Sequence, residues 1–348
     1  MEKNHYQQIE VPIFSKSFGF DSNENEVIQY TLTNNNGCAF SVINYGATIT
    51  SLKITNELGE KIDVVLGFET IEDYINSYNL PSAPYFGTTV GRFAGRINKA
   101  EFQLNEKLIS LNKNHGKHNL HGGNFGFGRK FWHLKSIHND ENPSITLAYT
   151  SPNNEEGFPG ELLVEVTYTL TEANELKVSY QAKSTQDTVI NLTQHSYFNL
   201  EGHSETVLNQ KLVINSNKIL ETTDELIPTG NYVSLKNHPF DFSEIKNCPT
   251  SIDNTFVLEN SKAAVLTSDK TKLKMTVTTN QPAVHIYVGG NCFNQIKGKE
   301  NMNYHTTSGI CFETQNFPDA PNHSNFPNSI LKKDEIYIHN TIFKFENL

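Results

Sequence analysis

Residues Glu161–Ser184 read ELLVEVTYTLTEANELKVSYQAKS, and their alternation decides the fold class. Leu163, Glu165, Thr167 and Thr169 alternate with Val164, Val166, Tyr168 and Leu170. That is the period-two pattern of a strand with one solvated and one buried face. The TEANE break before LKVSYQA then reads as a hairpin connection.

The same pattern recurs outward from this hairpin. CAFSVINYGATITSLKI (38–54), KIDVVLGF (61–68), SITLAYTS (144–151), LKMTVTTN (273–280) and AVHIYVGGN (283–291) are β-branched or alternating runs set between turn-rich breaks. TIEDYINSY (70–78) is the one stretch that predicts a short helix, and no strand–helix alternation supports a doubly wound sheet. Asn- and Gly-rich stretches such as NNNG and HGKHNLHGGNFGFG are brief loops, and no fixed-period repeat is present. The expectation is an all-β protein, a large antiparallel β-sandwich forming one domain over residues 1–348.

Composition narrows the function. The 348 residues carry 22 Phe and 14 Tyr, which suit half-buried pleated surfaces. A formal net charge of −10 argues against a nucleic-acid groove, which needs clustered Lys and Arg against phosphates. Cys38, Cys248, Cys292 and Cys311 are scattered with no CxxC pair, so they are expected to be buried, reduced thiols rather than a zinc site or a disulfide framework. MEKNHYQQIEVPIF has no leader pattern, and no run approaches the roughly eighteen apolar residues of a spanning helix. No membrane association and a cytoplasmic location are expected.

The run NLTQHSYFNL (191–200) is built like a strand yet carries His195 in its middle. Histidine gains nothing there by propensity, so it is a satisfied core group or a chemical one. The run ICFETQ places Glu313 between apolar Ile310–Phe312 and polar Thr314–Asn316, where a carboxylate must be paired or face a cleft. Arginine occurs only at Arg92, Arg96 and Arg129, and its planar fork suits paired oxygens in a way lysine does not. Arg92 and Arg129 are expected in structural ion-pair or stacking roles and Arg96 in a binding one. His121 precedes a Gly-Gly pair that would let a ligand approach the chain. His115, His118 and His133 are expected to be solvated, and no histidine spacing marks a metal site.

Taken together, PYFGTTVGRFAGRI (84–97), NLHGG (119–123), GFPGELLVEVTYTL (157–170), NLTQHSYFNL, TTNQPAVHIYVGGN (278–291) and ICFETQNFPDAPN (310–322) resemble the aldose 1-epimerase family in order and spacing. The resemblance runs from DVVLGF to IFKF, nearly the whole chain. It implies a β-sandwich that binds a free aldohexose in an open cleft with no metal or organic cofactor, as a monomer or weak homodimer. By the same resemblance His195 is the general acid at the ring oxygen and Glu313 the general base at the anomeric hydroxyl. Arg96, His121, Tyr197, Asp253 and Gln281 fall at sugar contacts. Gly95 departs from the family's usual asparagine, which predicts one hydrogen bond fewer to the sugar. The rival readings are a non-catalytic sugar-binding module, a glycosidase using Glu313 and Asp253, and a hexose 6-phosphate 1-epimerase. The last would need more cations than three arginines promise.

Overall fold

The computed structural model describes residues 14–290, 292 and 296–348. Positions 1–13, read above as carrying no leader, lie outside the described residues, as do 291, the last position of the 283–291 run, and 293–295. Three large antiparallel sheets hold most of the described strands. The nine-stranded sheet runs in the order His133–His138, Ser144–Ser151, Leu162–Leu170, Glu175–Ser184, Ile336–Asn347, Leu273–Thr279, Lys262–Ser268, Lys211–Ile214, Lys246–Asn247. The six-stranded sheet runs Tyr197–Phe198, Ile310–Gln315, Ala283–Val288, Ile252–Val257, Lys218–Thr222, Pro228–Ser234. A five-stranded meander, Phe14–Phe20 to Lys61–Asp63, completes the set.

The hairpin read from sequence is there. Leu162–Leu170 pairs in full register with Glu175–Ser184, from Leu162 opposite Ser184 to Leu170 opposite Leu176. Val164, Val166, Tyr168 and Leu170 are buried, whereas Leu163 is exposed. The strand Ile336–Asn347 inserts between this hairpin and Leu273–Thr279, and so joins the two halves of the sheet. The helix is Ile71–Ser77, capped by Thr70, whose hydroxyl accepts the Asp73 amide at 3.2 Å. Of KIDVVLGF only Lys61–Asp63 forms a strand.

One apolar cluster joins all three sheets. Phe198 of the six-stranded sheet meets Phe343 of the nine-stranded sheet at 4.8 Å between ring centroids, and Phe40 of the meander meets Tyr168 at 5.2 Å. Each such side chain, fully buried, contributes about 1.5–3 kcal/mol of transfer free energy. The four cysteines are buried and free, as expected. Among the described residues no helix is long and apolar enough to cross a membrane.

The sandwich leaves the other face of the six-stranded sheet uncovered by the core. Along its three central strands, Ile252, Phe256, Val284, Ile286, Val288, Ile310 and Phe312 point into the apolar cluster. The alternate positions Asp253, Thr255, His285, Tyr287, Glu313 and Gln315 therefore point the opposite way, and they line a cavity of about 290 Å³.

Candidate active site

Strand register arranges this polar floor in rows. Thr255 lies opposite His285, and His285 opposite Glu313; one pleat away, Asp253 lies opposite Tyr287, Tyr287 opposite Cys311, and Cys311 opposite Tyr197. The walls come from loops. Arg96 begins the two-residue strand Arg96–Ile97, which pairs with Asn119–Leu120 and so brings His121 alongside. Asp319 anchors that segment: its amide donates to the Arg96 carbonyl at 2.8 Å, and its carboxylate accepts the Asn98 amide at 2.9 Å.

His195 is not inside a strand as its sequence suggested. It sits in the break between the two-residue strands Thr193–Gln194 and Tyr197–Phe198. Backbone bonds hold it all the same: its amide donates to Thr88 at 2.9 Å and its carbonyl accepts from Gly87 at 2.9 Å. Its ring stacks on Tyr197, with centroids 5.3 Å apart, and meets His121 edge-on at 5.6 Å. Nε2 lies 3.5 Å from Glu313 Oε1, and both side chains are about 4% exposed. Among the described residues, Glu313 Oε2, Arg96 Nε and Gln315 Oε1 are buried without a protein hydrogen-bond partner. Buried polar atoms are rarely left so, and a cluster of them at one cavity marks a place built for a polar ligand.

The structure gathers His195, Glu313, Arg96, His121 and Asp253 around the cavity. Two residues expected at sugar contacts, Tyr197 and Gln281, do not line it. Tyr197 is buried behind His195 rather than in the cavity wall. Gln281 lies in the turn before Ala283–Val288, beside Ile190 and Asn328, with its amide donating to Asn280. It precedes the strand, four positions before His285. His285 occupies the floor instead. Its Nε2 meets Asp253 Oδ1 at 2.9 Å and its Nδ1 meets Thr255 Oγ1 at 2.8 Å. Burial alone would push the His285 pKa down, but the Asp253 bond and charge raise it above the ordinary value. Burial would raise Asp253, yet the same bond and charge hold it low, with help from Arg96. Sequence reading passed over His285, a polar residue set inside the apolar run AVHIYV.

Arg92 and Arg129 serve the fold, and Arg96 lines the cavity. Arg92 is buried, its guanidinium spent on the Ser151 hydroxyl and the carbonyls of Ser151, Pro152, Pro159 and Gly160 at 2.8–3.0 Å. Arg129 stacks over Tyr78 and Phe125, 5.1 and 4.6 Å from their ring centroids. His115 and His133 are exposed, but His118 is not: it is 3% exposed, because its Nδ1 accepts the Lys99 amide at 3.0 Å. The Gly122–Gly123 pair also serves differently from its sequence reading. A Cβ on Gly122 would lie 2.0 Å from the Gly91 carbonyl oxygen, so the glycine admits neighbouring backbone rather than a ligand.

His121, His195 and Glu313 each bring one potential metal-ligand atom to within 4.8 Å of the others. The Gly95 amide argues against metal at this trio, because it donates to His121 Nδ1 at 3.2 Å. Burial first, then the nearby His195 and Arg96, push the His121 pKa well down, so the ring is neutral. A neutral imidazole whose Nδ1 accepts a proton carries its own on Nε2. That nitrogen is a donor into the cleft, with no lone pair for a metal.

Comparison with known proteins agrees with this geometry. A family model described as aldose 1-epimerase matches residues 29–344. The chain belongs to the aldose 1-epimerase family. Galactose mutarotase of Bos taurus is 38% identical over 318 residues, 87% of this chain and 90% of that one. Aldose 1-epimerase of Haemophilus influenzae is 34% identical over 339 residues, 91% and 95% of the two chains. Among solved structures, a GalM/aldose epimerase homologue from C. elegans superposes with a TM-score of 0.84 at 28% identity, covering 91% of this chain and 98% of that one. Galactose 1-epimerase from Lactobacillus acidophilus gives 0.84 at 26% identity, covering 97% and 99%. The family's fold is thus the antiparallel β-sandwich described above.

Proposed function

We propose that the protein interconverts the α and β anomers of free aldohexoses such as glucose and galactose, with Glu313 as base and His195 as acid. The observation that carries this reading is the 3.5 Å approach of His195 Nε2 to Glu313 Oε1 on the floor of the polar cleft. Anomer exchange breaks one bond, between C1 and the ring oxygen. Glu313 takes the proton of the C1 hydroxyl while His195 Nε2 gives one to the ring oxygen, leaving an open-chain aldehyde. Rotation about the C1–C2 bond turns the aldehyde over. The ring hydroxyl then attacks the other face of C1, returning its proton to His195 as Glu313 reprotonates O1. Each of the two groups supplies roughly 100- to 10,000-fold.

The remaining polar groups suit hydroxyls. His121 offers an Nε2 proton, and Arg96 and the Asp253–His285 pair offer further donors and acceptors. A volume of about 290 Å³ is at the small end of ligand sites, in keeping with a single sugar ring. Arg96 is the one guanidinium or ammonium among the described residues that line the cleft, and Asp253 and Glu313 lie within its field. A neutral aldohexose fits that balance better than a hexose phosphate. We assign the protein to the cytoplasm, as a monomer or weak homodimer of one domain.

Polarimetry on freshly dissolved α-D-glucose and α-D-galactose tests the proposal. The protein accelerates the approach to equilibrium rotation for at least one of them. Release of reducing sugar from a glycoside, or binding without acceleration, would replace this reading with a glycosidase or a sugar-binding module.

A further inference from the structure

The strand Ile310–Gln315 presents two side chains, one pleat apart, to a single imidazole. Glu313 approaches His195 Nε2, and Cys311 Sγ lies 3.7 Å from His195 Nδ1. Positions 311 and 313 share a face because side chains alternate along a strand, and pairing of Cys311 with Tyr197 fixes the sulfur beneath the ring. Cys311 is fully buried, and its sulfur is the hydrogen-bond partner of Nδ1 among the described residues. The other groups around the ring are Tyr85, His121 and Tyr197, with Asp253 farther off.

Resting on the acid role proposed for His195, we infer that Cys311 is a positioning residue. Its sulfur accepts the Nδ1 proton, which leaves Nε2 as the nitrogen that exchanges a proton with the sugar ring oxygen. After His195 gives its Nε2 proton, the neutral ring must keep one proton, and the sulfur holds it on Nδ1. Without that acceptor, the neutral ring drifts toward the tautomer with Nε2 protonated, which cannot take the proton back when the ring closes. Burial, and then the charge of Glu313, push the Cys311 thiol pKa well up. The sulfur is therefore a neutral thiol and forms no thiolate–imidazolium pair. Glu313 Oε2, buried and without a protein partner, is meanwhile kept for the substrate rather than for orienting the ring. The cleft thus backs its imidazoles differently: His285 with a carboxylate, His121 with a backbone amide, His195 with a thiol.

Two measurements on the full chain test this. Long-range proton–nitrogen spectra of the ¹⁵N-labelled protein, with the His195 signals identified by their loss in His195→Asn, report which ring nitrogen carries the proton. Nδ1 is protonated in the neutral ring of the wild type and of Cys311→Ser, and Cys311→Ala shifts the population toward Nε2–H. In turnover, Cys311→Ala lowers kcat about threefold to tenfold with KM unchanged, and Cys311→Ser restores it, since a hydroxyl oxygen accepts the same bond. A merely structural thiol leaves the tautomer population of the neutral His195 ring unchanged in both variants. An unprotonated Nδ1 in the wild type, or Ala at wild-type kcat per folded molecule, overturns the inference. Wild-type protein that fails to accelerate anomer exchange overturns the proposed function instead, and the spectra still decide the contact between Cys311 and His195.

Discussion

Glu313 meets His195 at 3.5 Å from the opposite side of a strand whose alternate residues are core. Its carboxylate is held by the pleat rather than by a loop, so the charge can be removed without moving the backbone. Glu313→Gln keeps the shape and removes the base. Turnover falls by roughly 100-fold or more while KM stays within a few-fold. Progress curves on both anomers of one sugar check this, and near-normal turnover in the folded variant would sink the assignment of the base.

The two glutamine and histidine candidates of the 278–291 stretch separate cleanly by kinetics. His285→Ala removes a floor group hydrogen-bonded to Asp253 and raises KM about tenfold or more. Gln281→Ala, in the turn on the far side of Pro282, leaves both kcat and KM within about twofold, as surface changes usually do. A KM effect at Gln281 larger than at His285 would reverse the placement of the sugar.

The Asp253–His285 pair also leaves a pH signature in stability. The raised pKa of His285 means its share is fully present below the unfolded value of about 6.5 and is lost as pH rises through the folded value. The lowered pKa of Asp253 means its share is present above about 3.9 and is lost as pH falls through the folded value. The window of full contribution lies between those unfolded values. Asp253→Asn should therefore lower Tm more at pH 5.5 than at pH 9, measured in the same ionic strength. An equal loss at both values would show that the pair is not ionised in the folded protein.

Chelation leaves the rate alone. The Gly95 amide fixes His121 with its Nε2 proton toward the cleft, so only His195 and Glu313 of the metal-like trio have lone pairs to offer. Two ligands make a poor site for zinc. Dialysis against a strong chelator should not change turnover; loss restored by one metal would show that the Gly95 bond gives way.

How far the sequence could be read follows from period and burial. Alternation in Leu162–Leu170 was enough for the strand, its buried face and its hairpin partner, because one slip of register would expose the whole set. Three arginines among many lysines pointed to local demands, and the structure puts Arg92 in buried carbonyl bonds, Arg129 over two aromatic rings and Arg96 at the cleft. What failed was anything set by long-range contact. His118 was expected to be solvated, but it is buried with its Nδ1 accepting the Lys99 amide. Gln281 and His285 differ by four positions, and the strand end that separates their destinations is set by pairing with Ile252–Val257 and Ile310–Gln315. The place of Ile336–Asn347 in the middle of the large sheet has no local signal at all.

Gly95 is where the chain departs from the family's asparagine, and the structure changes what that departure means. Its φ is +78°, and a Cβ there would lie 2.9 Å from both Cβ and Cγ of Pro318. A proline ring cannot swing aside as the end of a flexible side chain can. Asparagine is among the residues that tolerate a positive φ best, whereas alanine bears both the strain and the contact with no polar compensation. Overpacking of this kind costs about 1–3 kcal/mol, so Tm should fall by several degrees in the order wild type, Gly95→Asn, Gly95→Ala. The Gly95 amide that holds His121 survives both changes, and neither touches His195 or Glu313. Catalysis per folded molecule therefore keeps kcat within a few-fold. The added asparagine amide sits at the cavity wall, so KM and the glucose-to-galactose preference shift. Unfolding curves read beside kinetics on both sugars decide between the two effects. Unchanged Tm in Gly95→Ala would show that Pro318 yields freely, and unchanged KM for both sugars in Gly95→Asn would place this side chain out of the substrate's reach.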